Sequence, residues 1–255
     1  IQRLSAELFE ALNTNTSVSP VSDRYPDIKM EDAYHISLAM LDKRIARGEK
    51  LIGKKIGVTS EAVQQMLNVH QPDFGFLTDA MLSTNLVEIT NRLQQPKAEG
   101  EIAFLLQKDL KGPGVTEQDV LEATESVMPC FEIVDSRIAD WKIKFEDTVA
   151  DNASCGLFVV NKDAAVDPKQ LDLPSVKMVV KKNGEFLSEG TGAAALGNPL
   201  SCVAWLANTL GEFGVSLNAG DIVLSGSLVP LEAVCAGDTM SLDISGIGSL
   251  TIEFA

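Results

Sequence analysis

Glu99-Gly100-Glu101 opens an apolar stretch that continues Ile102-Ala103-Phe104-Leu105. On a strand, residues i and i+2 face the same side. The two carboxylates therefore stand side by side at the start of a segment that favours burial. Unpaired, they repel each other and resist leaving water, so a buried pair needs a cation or a shared proton. Glu132 poses the same problem inside Cys130-Phe131-Glu132-Ile133-Val134. Three converging carboxylates suit a hard divalent cation with oxygen ligands, Mg²⁺ or Mn²⁺, and leave positions for water and substrate. Spacing alone leaves a second arrangement open, with Glu99 and Glu101 on a solvent-facing edge and Glu132 paired with Arg137.

Lys55 is the next candidate. It sits in Gly53-Lys54-Lys55-Ile56-Gly57, where alternation sends Lys54 and Lys55 to opposite faces. A lysine pointing inward beside a metal site binds an anionic substrate or transfers a proton, whereas one pointing outward is merely solvated. The two histidines are isolated: His35 falls within an early helix and His70 precedes a loop. The position of His70 allows it to lie near a site, but two isolated histidines make a weak case for metal binding or acid–base work. No GxSxG, P-loop or GxGxxG motif occurs, which argues against an α/β-hydrolase, a P-loop NTPase and a dinucleotide enzyme.

The chain around these residues has 255 amino acids, 45% of them hydrophobic and 22% charged. This is the composition of a folded globular protein with room for a substantial core. No apolar run reaches the roughly 18 residues of a membrane span. The net charge of −15 disfavours nucleic acid and anionic membrane surfaces as partners. Cys130, Cys155, Cys202 and Cys235 are far apart and form no CxxC pair, so the expectation is reduced, mostly buried thiols in a cytoplasmic protein. No signal peptide is visible, and the numbering starts at Ile1 rather than Met.

The elements that must position the candidates follow from periodicity. Tyr34, Leu38, Leu41 and Ile45 form an apolar helical stripe between Met30 and Gly48, with acidic residues early and basic residues late. Strands are expected over 51–59, 99–106 and 130–134, and helices over 60–67 and 116–127, the latter ended by Pro129. Residues 71–75 read as a turn. Asn183-Gly184 predicts a hairpin between 178–182 and 185–187. A helix opens at Asn198-Pro199 and runs to about Leu210, and strands follow over 221–225, 240–244 and 249–254. Helices early and strands late give an α+β class. The expected layout is a smaller mixed N-terminal part over 1–80 and a β-rich core over 81–255, or one continuous domain.

Taken together, GKKIGVTS (53–60), VHQPDFGFLTDAM (69–81), AEGEIAFLL (98–106), PCFEIVDSRIADWK (129–142), DTVADNASCGLFV (147–159), GAAALGNP (192–199) and AGDIVLSGSLVP (219–230) resemble one known group. It is the hydratase/decarboxylase family of meta-cleavage catabolic pathways, within the fumarylacetoacetase-like superfamily. The resemblance implies a fumarylacetoacetase-like core with mixed sheets. It maps the family's metal carboxylates onto Glu99, Glu101 and Glu132, and its site lysine, aspartate and serine onto Lys55, Asp79 and Ser154. Ser225-Gly226-Ser227 stands where superfamily relatives often carry Thr-Gly-Thr.

The resemblance also implies an activity. The substrate class is a short 2-hydroxy or 2-oxo dienoic acid, and the reaction is Mg²⁺- or Mn²⁺-dependent addition of water to 2-hydroxypenta-2,4-dienoate, giving 4-hydroxy-2-oxopentanoate. The loop at 70–75 favours this hydratase branch over the sister 4-oxalocrotonate decarboxylase. Decarboxylation, C–C hydrolysis of a diketo acid and a purely structural role beside the sister enzyme are the other readings. The expected partners are further copies of the chain and the decarboxylase.

Overall fold

The computed structural model describes every residue except 61–63 and 66–68. The helix expected over 60–67 falls largely on residues outside those described. Two sheets form the frame. The larger takes its strands in the order β2 (Asp73–Thr78), β1 (Leu51–Gly57), β9 (Ile222–Leu224), β4 (Lys97–Leu106), β5 (Thr124–Val134) and β6 (Cys155–Val160), with β10 (Glu232–Ala233) pairing to β4. The smaller runs β3 (Leu86–Val87), β12 (Gly248–Phe254), β11 (Thr239–Ile244), β7 (Lys177–Lys182) and β8 (Glu185–Thr191). The α+β class therefore stands. The larger sheet draws β1 and β2 from before residue 81 and the rest from after it, so a division after residue 80 does not separate two sheets.

Alternation along β4 assigns its two faces to different tasks. Ala98, Gly100, Ile102 and Phe104 point into the main core, and a Cβ on Gly100 would meet Met178 Sδ of β7 at 2.5 Å and Leu242 Cδ2 of β11 at 3.3 Å. Gly100 thus lets the second sheet lie directly on β4. The opposite face carries Glu99, Glu101 and Ala103, and Ala103 joins a smaller apolar cluster with Leu77, Met128, Cys130, Phe158 and Leu224.

The α-helices α1 (Gln2–Thr14), α2 (Val21–Arg24), α3 (Met30–Ala46), α4 (Glu117–Ala123), α5 (Phe145–Ala150) and α6 (Pro199–Glu212) pack around these sheets. None is long and apolar enough to cross a membrane. The expected stripe holds in part: Tyr34 is buried and Leu38 and Leu41 are half-buried against the core, but Ile45 is 42% exposed and the buried face extends to Ala33, Ile36, Ser37, Met40 and Arg44. The guanidinium of Arg44 is drawn inward by Glu49, 2.7 Å away, and Thr78, 3.0 Å away, and carries that edge of the helix into the interior.

Three other expectations are corrected. Residues 73–75 belong to strand β2 rather than a turn, because Asp73–Thr78 pairs antiparallel with β1. The helix expected over 116–127 is the shorter α4, which the Thr116 hydroxyl caps by accepting the Asp119 N–H at 3.2 Å. Pro129 terminates nothing. It lies inside β5, opposite Ile102, and its carbonyl accepts the Asn161 N–H at 3.0 Å. The hairpin holds as expected, with Asn183 at φ 54° and Gly184 at φ 85°, the positive values a two-residue turn of this kind requires.

Candidate active site

Sheet register brings the chemistry-bearing residues together. Glu99 on β4 stands directly opposite Glu132 on β5, and Glu101 is opposite Cys130, so the three carboxylates form a triangle on one sheet face. One oxygen from each can be chosen so that all lie within 4.8 Å of one another. Lys55 reaches the same face from β1, and its Nζ lies 3.2 Å from Glu132 Oε1. Glu132 therefore pairs with Lys55. Arg137 is engaged elsewhere, by Asp151 Oδ1 at 2.6 Å. Lys54, on the other face, is also fully buried and is matched by Asp221 at 2.5 Å.

Asp73 completes the group. It pairs in register with Gly57, two residues beyond Lys55 on β1, and is 1% exposed. A Cβ at Gly57 would collide with Asp73 Oδ1 and come within 3.2 Å of Lys55 Nζ, so glycine there lets the acid and the amine share the space. As a turn, Pro72-Asp73-Phe74-Gly75 gives Asp73 no face to share with Lys55. Read as a strand, the same residues put Asp73 and Gly75 on one face.

Burial and crowding govern the charges. Desolvation, and then the neighbouring Glu132, push the Glu99 carboxyl up to about 8 against the pull of Lys55. Desolvation and the fields of Glu132 and Glu99 hold Glu101 well above the usual carboxylate range. Asp73 is raised to about 6, mainly by burial, with Lys55 opposing the rise. Burial works to discharge Lys55, but Glu132 first, then Cys155, Asp73 and Glu99, outweigh it and keep the ammonium protonated.

Four buried carboxyl groups thus face one ammonium, and the hydrogen bonds do not make up the difference. Glu101 Oε2 accepts the Gly226 N–H at 2.9 Å, whereas Glu101 Oε1 and Glu132 Oε2 are buried without a partner and Glu132 Oε1 meets only the Lys55 ammonium. Buried acceptors left in this state are costly. An all-oxygen, acceptor-only triangle fits a hard divalent cation, which satisfies those oxygens and offsets their charge together.

Ser154 is buried, shares a 3.1 Å hydrogen bond with Thr148 Oγ1 and precedes Cys155, whose thiol is close enough to Lys55 to act on its charge. Ser225 and Ser227 turn their hydroxyls onto backbone carbonyls of Gly226 and Val229, while the Gly226 N–H reaches Glu101 and the Ser227 side chain also acts on the Glu99 carboxyl. The structure does not bring Asp79 to the cluster. It is exposed, follows the far end of β2, and accepts the Lys50 N–H at 2.9 Å. It lies four positions beyond Gly75, the register partner of Lys55, which is about 13 Å of strand. Both histidines are exposed, and Cys130, Cys155 and Cys202 are buried free thiols while Cys235 is exposed.

Known proteins share this arrangement of sequence and fold. The family described as fumarylacetoacetate (FAA) hydrolase C-terminal matches residues 54–255. A 2-hydroxyhexa-2,4-dienoate hydratase of Comamonas testosteroni is 56% identical, the match covering 100% of this chain and 97% of that protein. A 2-hydroxypent-2,4-dienoate hydratase of Pseudomonas putida is 64% identical over 85% of this chain and 98% of its own length. Among solved structures, 4-oxalocrotonate decarboxylase from Pseudomonas putida G7, complexed with magnesium and adipate, superposes with a TM-score of 0.96. It is 33% identical, with 100% of this chain and 97% of that one covered.

Proposed function

The chain belongs to the fumarylacetoacetate hydrolase C-terminal family, and on that footing we propose that it is a hydro-lyase that adds water to 2-hydroxypenta-2,4-dienoate, giving 4-hydroxy-2-oxopentanoate in meta-cleavage catabolism of aromatic compounds. The observation that carries this reading is the buried triangle of Glu99, Glu101 and Glu132 with unpartnered oxygens, set beside a charged Lys55. Identities of 56% and 64% to named hydratases, against 33% to the decarboxylase, favour hydration over loss of CO₂ on the same fold.

Glu99, Glu101 and Glu132 would hold Mg²⁺ or Mn²⁺. Such a cation, when bound, supplies Lewis acidity toward the substrate's carboxylate and 2-oxygen. The protein's own groups divide the remaining work. Lys55, kept as an ammonium by Glu132, stabilises negative charge on substrate oxygen. Asp73, raised to about 6, exchanges between acid and base near neutral pH, as a group that both gives a proton to carbon and takes one from water must. Ser154 orients substrate or water through its hydroxyl. The low-dielectric wall of Leu77, Ala103, Cys130, Phe158 and Leu224 strengthens each of these interactions.

The test is a metal-dependent assay. Protein stripped with EDTA is given 2-hydroxypenta-2,4-dienoate with and without Mg²⁺ or Mn²⁺, the ultraviolet absorbance is followed, and the product is identified by NMR. Metal-restored formation of 4-hydroxy-2-oxopentanoate is the expected result. Conversion of 4-oxalocrotonate instead would assign the decarboxylase activity. The same reading carries a homo-oligomer, association with the decarboxylase and a cytoplasmic location, the first two open to gel filtration with and without the sister enzyme.

A further inference from the structure

Asn152, Ala153 and Ser154 have φ of 55°, 51° and 52°. Three consecutive residues with side chains in the left-handed region are strained, and such a turn persists only where its surroundings hold it. The side chain of Asn152 does much of that holding. Its Oδ1 accepts the Phe76 N–H at 2.8 Å and its Nδ2 donates to the Phe76 carbonyl at 3.0 Å. The amide thus stands where a strand neighbour would stand on β2, the outermost strand of its sheet. Beyond the turn, the Asp135 N–H donates to the Ser154 carbonyl at 2.8 Å.

Gly75 supplies an independent observation. It is the register partner of Lys55, and a Cβ there would come within 2.6 Å of the Asn152 carbonyl oxygen and 2.7 Å of Cys155 Sγ. The left-handed turn lies against β2 at the level of Lys55 because residue 75 has no side chain.

We propose that Asn152 and Gly75 are positioning residues for the reaction: together they clamp the left-handed turn so that the Ser154 hydroxyl and the Cys155 thiol are held on the Lys55 side of the sheet. The proposal rests on the reading of Ser154 as a site residue. Neither Asn152 nor Gly75 touches the carboxylate triangle, so the clamp acts on turnover and leaves metal binding alone.

The experiment measures steady-state hydration by the full-length Mg²⁺-loaded chain, with active sites counted by Mg²⁺ titration. Asn152→Ala is expected to lower kcat per site by about 10- to 100-fold, the scale of a small misplacement, with Mg²⁺ affinity unchanged. Ala153→Gly introduces a residue that takes positive φ freely. It is expected to leave the parent rate alone and to restore several-fold of the rate in the Asn152→Ala background. Parental kcat per site in Asn152→Ala, or a loss that Ala153→Gly does not relieve, overturns the clamp. Asn152→Asp, which keeps the acceptor and the shape but loses the donor, is the second variant if Asn152→Ala does not fold. Ser154→Ala distinguishes a site role for Ser154 from the clamp that holds it. Parental turnover in Ser154→Ala removes Ser154 from the site, whereas lost turnover in Ser154→Ala beside parental turnover in Asn152→Ala removes only the clamp.

Discussion

Lys55 Nζ lies 3.2 Å from Glu132 Oε1, and both side chains are almost wholly buried, at 3% and 1% exposure. The pair joins two strands that are not neighbours, because β9 and β4 intervene between β1 and β5. A single ammonium thereby offsets part of the charge of a carboxylate cluster, and a substrate anion entering the site meets a fixed positive group.

Lys55→Met should lower kcat at saturating substrate by about 10² to 10⁴, the usual contribution of one positioned acid or base. The triangle of carboxylates is untouched, so Mg²⁺ should still bind. Steady-state kinetics combined with calorimetric Mg²⁺ titration checks both halves, and wild-type turnover in the variant would remove Lys55 from the mechanism.

Glu101→Gln is expected to weaken metal binding and activity together. The amide retains an acceptor for the Gly226 N–H, now at 2.9 Å, so the loop should stay in place while one charged oxygen is lost. Calorimetry showing parental Mg²⁺ and Mn²⁺ affinity would contradict ligation by Glu101.

Asp73→Asn should separate activity from stability. Asp73 titrates near 6 in the folded protein against 3.8 for the ordinary group, so the folded state holds its proton more tightly than the unfolded chain does. Stability contributed at this position is therefore lost as pH rises from about 4 to about 6, by about 3 kcal/mol at most. The asparagine variant lacks this loss. It should be the more stable protein above pH 6, match the parent below pH 4, and turn over at least about 10²-fold more slowly. Urea unfolding across that pH range, with an activity assay at neutral pH, measures each part.

Asp79→Ala provides the contrast. Its carboxylate accepts the Lys50 N–H at 2.9 Å from an exposed position remote from Lys55. The expected outcome is parental kcat and KM with about 1 kcal/mol of lost stability, as for a capping hydrogen bond. A large fall in kcat with an unchanged melting temperature would place Asp79 in the chemistry after all.

Much of the site was legible in the residues themselves. A pair of glutamates two apart at the head of an apolar strand, and a third inside another, had to be compensated if buried, and the alternation of Lys54 and Lys55 meant that they would face different surroundings. These inferences needed only the two-residue period of a strand and the cost of desolvating charge. The α+β class and the Asn183-Gly184 hairpin were legible for the same reason, since local backbone preference and patterning dictate them.

What the tertiary structure decided is which of these local possibilities meet. Register alone set Glu132 opposite Glu99, gave Glu132 to Lys55 and left Arg137 to Asp151. The pairing of β2 with β1 turned an expected loop into a strand and delivered Asp73 rather than Asp79 to the side of Lys55. It also left a left-handed turn to be held by an asparagine 76 residues away in the chain from its partner Phe76. Contacts between distant segments are fixed by which surfaces bury each other, and short-range spacing carries no record of that choice. The sequence by itself determined what kind of chemistry this protein can support, and the packing of strands decided which residues share the space in which it happens.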